Sequence, residues 1–242
     1  MHDLILPEWP APANVRAFST TRTGGVSQAP WNSLNLGYHC GDNPHHVEQN
    51  RQSLLARLPS EPRWLKQVHG IDVVTWDGAS ATEAGADAII AIAPDQVCAV
   101  LTADCLPVLF CDSHGSMVAA AHAGWRGLVS GVLEATVAAM ECEASHLMAW
   151  LGPAIGPQAF EVGDDVHAAF VGQNNDNAMA FKAHGKRWLA DLYLLARLAL
   201  TRVGVRQVYA GDYCTYSDAD RFFSYRRDGE TGRMASVIWL VQ

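Results

Sequence analysis

The sequence of 242 residues has no Cys-x-x-Cys pair, although it holds six cysteines. Cys40, Cys98, Cys105, Cys111, Cys142 and Cys214 are scattered, and several sit in apolar runs. A dense disulfide framework belongs to short secreted chains, so this pattern is expected of a reducing compartment. There is no basic cluster larger than Tyr225-Arg226-Arg227, and the net charge is −8. That balance argues against a partner with a nucleic-acid backbone. No apolar run approaches the ~20 residues of a membrane span. Residues 1–10 lack both the basic start and the long apolar stretch of a secretory leader. Internal repeats and low-complexity segments are also missing. These absences together lead to the expectation of a soluble, cytoplasmic protein that neither crosses a membrane nor binds nucleic acid.

What is present is apolar substance. Hydrophobic residues make up 49% of the chain, enough to bury one core without covalent staples. The expected organisation is a single domain over residues 1–242. Residues 18–27 read as a strand that ends in a Gly-Gly turn. Residues 41–58 read as a helix, with Asn43 as its cap and Pro44 in its first turn. Strands are expected over 63–76 (broken at Gly70), 85–92, 97–112, 114–124, 146–152 and 207–211. The run over 97–112 is apolar on both faces, as in a central strand. Its Pro107 predicts that pairing is interrupted just after Cys105. Helical spacing over 125–141 rests on Leu128, Val129, Val132, Leu133, Val137 and Met140. Further helices are expected over 164–171 and 187–203, and a hairpin over 222–240. Strands and helices alternate without strict βαβ order, so the fold class is an α/β or α+β sandwich with mixed sheets.

Three potential metal ligands stand at strand ends: His69 in "KQVHG", Cys105 in "TADCLP" and His122 in "AAHAGW". Each is followed within two residues by Gly or Pro, where a side chain can leave the strand and enter a shared cleft. Two His and one Cys form a known catalytic zinc set, with the fourth position open for water or substrate. Such an ion lowers the pKa of bound water and polarises a leaving group. The same residues also suit a cysteine hydrolase, with Cys105 as nucleophile and His122 as its base. The spacing does not separate the two readings. Cys98, Cys111 and Cys142 read as core residues. His39, His45, His46, His114, His146, His167 and His184 read as solvated.

Two arginines are candidates for holding an anion. Arg126 lies in "HAGWRG", where a helix begins and free N–H groups favour phosphate. Arg22 precedes Gly24-Gly25. A solvated surface position suits either one equally well. Arg226 reads as a solvated hairpin end, and "GPAIGP" over 152–157 as a rigid loop lining the cleft.

Eight segments, "STTRTGGVS", "SLNLGYHCGD", "WLKQVHG", "ADAII", "TADCLPVLF", "AAHAGWRG", "GPAIGPQAFEVG" and "FFSYRRDGETGRMAS", together resemble the YfiH family, also called the laccase-domain, polyphenol-oxidase or peptidoglycan-editing-factor family. The resemblance runs from about residue 5 to the C-terminus. It implies an α/β/β/α sandwich similar to the catalytic domain of cytotoxic necrotising factor. It also implies zinc held by His69, Cys105 and His122. The implied activity is phosphorolysis of adenosine, inosine, guanosine and S-methyl-5′-thioadenosine, together with deamination of adenosine. Nucleosides and phosphate are then the small-molecule partners, and the chain is expected as a monomer or homodimer. Arg22 and Arg126 would position phosphate, and Asp104, beside the ligand cysteine, is a candidate acid/base or a group that orients a ligand. Gln158 stands where many relatives have Cys, so a redox role for that position does not carry over. The laccase label would require copper and further histidines for an oxygen-reducing cluster, and the chain has no His-x-His pair. Of the remaining readings, a Cys105-dependent amidase acting on peptidoglycan precursors stands ahead of a copper oxidase.

Overall fold

The computed structural model describes residues 3–76 and 85–242. Two sheets carry the architecture. The first holds, in spatial order, Leu4–Ile5 (β1), Val15–Thr20 (β2), Met234–Leu240 (β14), Cys98–Thr102 (β6) and Arg63–Trp64 (β3). The second holds Gln207–Ala210 (β13), Leu147–Leu151 (β9), Leu106–Asp112 (β7), Val118–Ala123 (β8), Ala88–Ala91 (β5) and Val73–Thr75 (β4). Pairing is antiparallel except for β3 with β6, β13 with β9 and β4 with β5. A small third sheet holds Glu161–Val162 (β10), Arg187–Ala190 (β12) and Phe181–His184 (β11).

Period-two alternation decides which face each residue covers. In β6, Cys98 and Val100 point between the two large sheets, while Ala99 and Leu101 point outward. In β14, Met234 and Ile238 face inward, and Ala235, Val237 and Trp239 outward. Leu109, Cys111, Val118 and Trp150 of the second sheet complete the layer between the sheets. The outer face of the first sheet is covered by Leu34, Leu36 and Leu54, the last from helix Pro44–Leu55 (α1). The outer face of the second sheet packs on helices Trp125–Ser130 (α2), Val132–Ala139 (α3), Asp164–Gln173 (α4) and Leu192–Arg202 (α5). The result is the mixed-sheet sandwich expected from the strand and helix pattern, with the α/β/β/α layering that the family resemblance implied.

The helix caps follow the sequence. Asn43 accepts from His45 N at the start of α1, and Asp191 accepts from Leu194 N at the start of α5. Four expected elements change. The 97–112 run is two strands in different sheets, because Asp104 adopts φ 92 and turns the chain from one sheet to the other. The break therefore spans 103–105, with Cys105 inside it, and Pro107 sits within β7, opposite His122. Gly131, at φ 100, splits the 125–141 helix into α2 and α3. Residues 187–190 join the third sheet before α5 begins. The expected hairpin over 222–240 is a short helix, Tyr225–Asp228 (α6), followed by β14. That strand pairs with β2 and β6 instead of folding back on 222–228.

Candidate metal centre

Two connections pass from the first sheet to the second, and each carries one candidate ligand. The β3–β4 connection holds His69, which has φ 60. The β6–β7 connection holds Cys105, directly after left-handed Asp104. His122 faces them from the last turn of β8, paired in register with Pro107. The ligand atoms of the three residues lie within 4.8 Å of one another, and Cys105 Sγ is 3.8 Å from His69 Nε2. The two imidazole rings meet edge to face with centroids 4.8 Å apart. Gly124 is required here: a Cβ at that position would lie 2.9 Å from both Cys105 Sγ and His69 Cδ2.

One carboxylate organises the group. Asp87, fully buried just before β5, accepts from His69 N at 3.0 Å and from His122 Nδ1 at 2.8 Å through Oδ1. Its Oδ2 accepts from Val68 N at 3.1 Å and Gly70 N at 2.7 Å. The tight left-handed loop around His69 is thus folded around a charge. With Nδ1–H given to Asp87, His122 presents Nε2 to Cys105, an arrangement typical of metal-binding histidines. Burial would raise the Asp87 pKa, but the His122 and backbone donors outweigh it and hold it below the usual value.

The same balance ionises the pair in front of it. Burial opposes a Cys105 thiolate, yet the charge and hydrogen bonds of His122 and His69 bring its pKa down to about 6. Burial also opposes a charged His122, yet the Cys105 thiolate and Asp87 raise it to about 9. Cys105 and His122 therefore favour each other's charged form, thiolate beside imidazolium. Two imidazoles and a thiolate, one imidazole backed by a carboxylate, fit a three-ligand zinc position. Among the described residues this is the one group of three or more His, Cys, Asp or Glu able to share an ion.

The group opens into a cavity of 570 Å³ also lined by His39, Lys66, Gln67, Tyr225 and Arg233, a size suited to a small organic ligand. Arg22 and Arg126 are not on its walls. Arg22 donates to Asn32 O and Ala219 O, lies over the Phe223 ring and borders a separate cleft. Arg126 is exposed and stacks over Trp125. Asp104 faces away as well: its carboxylate accepts from Thr215 Oγ1 and Arg226 N, both at 2.6 Å. It clamps the chain behind Cys105 and has no free oxygen aimed at the ligands. His39, expected to be solvated, borders the cavity. Sequence reasoning missed Asp87, although an acid directly ahead of the buried Ala88–Ala91 run was a visible signal. Arg233 and Tyr225 were hidden by the mistaken hairpin.

A family model described as "Multi-copper polyphenol oxidoreductase laccase" matches residues 16–241. An Escherichia coli protein named purine nucleoside phosphorylase YfiH is 57% identical over the whole of both chains. A Pseudomonas aeruginosa purine nucleoside phosphorylase is 53% identical over 99% of each. Among solved structures, a Neisseria meningitidis protein is similar with TM-score 0.93 and 52% identity over 99% of each chain. YlmD from Geobacillus stearothermophilus follows at TM-score 0.89 and 32% identity, covering 96% of this chain and 94% of its own.

Proposed function

The chain belongs to the family described as multi-copper polyphenol oxidoreductase laccase, and we propose that within it the chain acts as a metal-dependent purine nucleoside phosphorylase. The observation that carries this reading is its 57% and 53% sequence identity, over 99% or more of each chain, to proteins named for that activity. The proposed substrates are adenosine, inosine, guanosine and S-methyl-5′-thioadenosine. In phosphorolysis an oxygen of hydrogen phosphate forms a bond to C1′ of the ribose as the C1′–N9 bond breaks. The electron pair leaves with the purine, and the proton carried by phosphate ends on the purine. Ribose 1-phosphate, or its methylthio analogue, is the second product.

Zinc held by His69, Cys105 and His122 would supply a Lewis acid beside the reacting groups. The residues do the rest. Asp87 accepts from the His69 backbone and the His122 ring, and Leu65, Leu101 and Ala103 give the cavity an apolar wall for a ligand to pack on. The one three-ligand group among the described residues supports one ion in preference to a multicopper cluster. Adenosine deamination, in which water replaces the 6-amino group and ammonia leaves, is proposed as a side activity. Asp104 is too committed to its two donors to serve as its acid/base.

Mass spectrometry of products from purified protein and adenosine, with and without phosphate, tests this reading. Adenine and ribose 1-phosphate formed only with phosphate are expected. Inosine would mark the deaminase. Neither product from zinc-loaded protein would overturn the nucleoside assignment. The Asp87–His122–Cys105 chain favours a second reading, a cysteine amidase, which predicts turnover by metal-free protein and covalent trapping at Cys105.

A further inference from the structure

We propose that Arg233 and Lys66 form the pair of cations that seats phosphate beside His69, Cys105 and His122. This rests on the phosphorylase reading and assigns its phosphate subsite. The placement follows from strand order. Strand β6 runs up to the Asp104–Cys105 turn, and its two neighbours are β14 and β3. Arg233 immediately precedes Met234 of β14, which is paired with Thr102 at the end of β6. Lys66 lies two residues beyond Trp64 of β3, where Gln67 continues the contact by exchanging hydrogen bonds with Leu101. One cation thus stands on each side of the strand end that delivers Cys105, and both line the 570 Å³ cavity.

The charge of the cavity agrees. Its described lining contains Lys66, Arg233 and three histidines but no carboxylate, in a chain of net charge −8. Arg233 is also built as a receptor. Its Nη1 donates to the carbonyls of Thr231 and Gly232, and its backbone N donates to Asn35 Oδ1. Its stem packs so closely on Gly37 that a Cβ there would come within 2.9 Å of Cγ. Nε and Nη2 have no hydrogen-bond partner among the described residues. A held guanidinium with an unused N–H edge is suited to a phosphate oxygen pair, and a lysine adds a mobile point charge. Arg227 and Arg51 are already committed: Arg227 donates to Thr215, Tyr216 and Phe222 carbonyls and to Asp228, and Arg51 donates to Leu36 O between two aromatic rings.

The test is titration calorimetry of inorganic phosphate into zinc-loaded wild type, Arg233→Gln, Arg233→Lys and Lys66→Gln, with initial rates at varied phosphate and adenosine. Arg233→Gln is expected to weaken phosphate binding and raise its KM about tenfold or more, with adenosine KM and zinc content within about twofold of wild type. Lys66→Gln should shift phosphate in the same direction by less. Arg233→Lys keeps the charge without the fork and should fall between; it also serves if the glutamine variant does not fold. Phosphate affinity within about twofold of wild type in both Arg233 variants overturns the pair, as does a wild type that binds no phosphate. Because the titration needs no turnover, phosphate binding that depends on Arg233 in a protein that releases no purine would leave the anchor standing and sink the phosphorylase reading alone.

Discussion

Replacing Asp87 by Asn should damage the fold and the metal centre together, by separable amounts. The carboxylate accepts four N–H groups, two on each oxygen. An amide can accept on one side only, and its NH2 then faces two donors. If Nδ2 turns toward Val68 and Gly70, two charge-assisted bonds are lost in a buried place. At roughly 1.5 kcal/mol or more for each, the cost is about 3 kcal/mol of stability. If Nδ2 turns toward His122 instead, the imidazole must accept through Nδ1. Its proton then moves to Nε2, the nitrogen the metal needs. Either way zinc affinity should fall about 10- to 100-fold, the usual loss on removing such a partner. Urea unfolding of the metal-free protein measures the first effect, and competition with a chromophoric chelator measures the second. A variant destabilised by less than about 1 kcal/mol that still holds zinc with wild-type affinity would refute the role of the carboxylate.

Three further outcomes are expected. Cys105→Ser should abolish stoichiometric zinc binding; zinc retained one-to-one would remove Cys105 from the ligand set. In metal-free protein, alkylation of Cys105 by iodoacetamide should rise as pH passes through about 6 and be level by neutral pH, because His122 lowers its pKa; a midpoint near the ordinary thiol value of about 8.5 would contradict the ion pair. Trp150→Ala empties the layer between the sheets at a residue 1% exposed, and should cost about 3–5 kcal/mol in denaturant unfolding; a loss below about 1 kcal/mol would mean that the layer closes over the gap.

The candidate ligands were legible because each stands in or beside an apolar run as a group that a core has no use for. His69, Cys105 and His122 also lie near Gly or Pro; the chain turns at His69 and Cys105, and β8 ends one residue after His122. The sandwich was legible from alternating apolar strands mixed with helical spacing. What stayed hidden depended on contacts distant in sequence. Asp87 acts through backbone N–H groups some 17 to 19 residues away, which no periodicity reports. Asp104 read as chemistry because it adjoins Cys105, but the left-handed backbone at that position points its carboxylate to Thr215 and Arg226 instead. The hairpin over 222–240 failed because "DGETG" carries every local mark of a tight turn, while β14 gains more by entering between β2 and β6, where every one of its residues is buried.

That insertion has a consequence for how the chain is made. Strand β14 lies at the middle of its sheet, yet is the last of that sheet's five strands to be synthesised. Until residue 240 is available, β2 and β6 have no common partner, and each presents an open edge of the kind that recruits foreign strands. Arg233 arrives with the same segment. A chain cut short before residue 233 would therefore lose the keystone of a sheet in place of a border strand, and the Arg233 guanidinium with it. Premature termination ahead of β14 should send this protein toward aggregation and proteolysis instead of leaving a trimmed, weakened version of it.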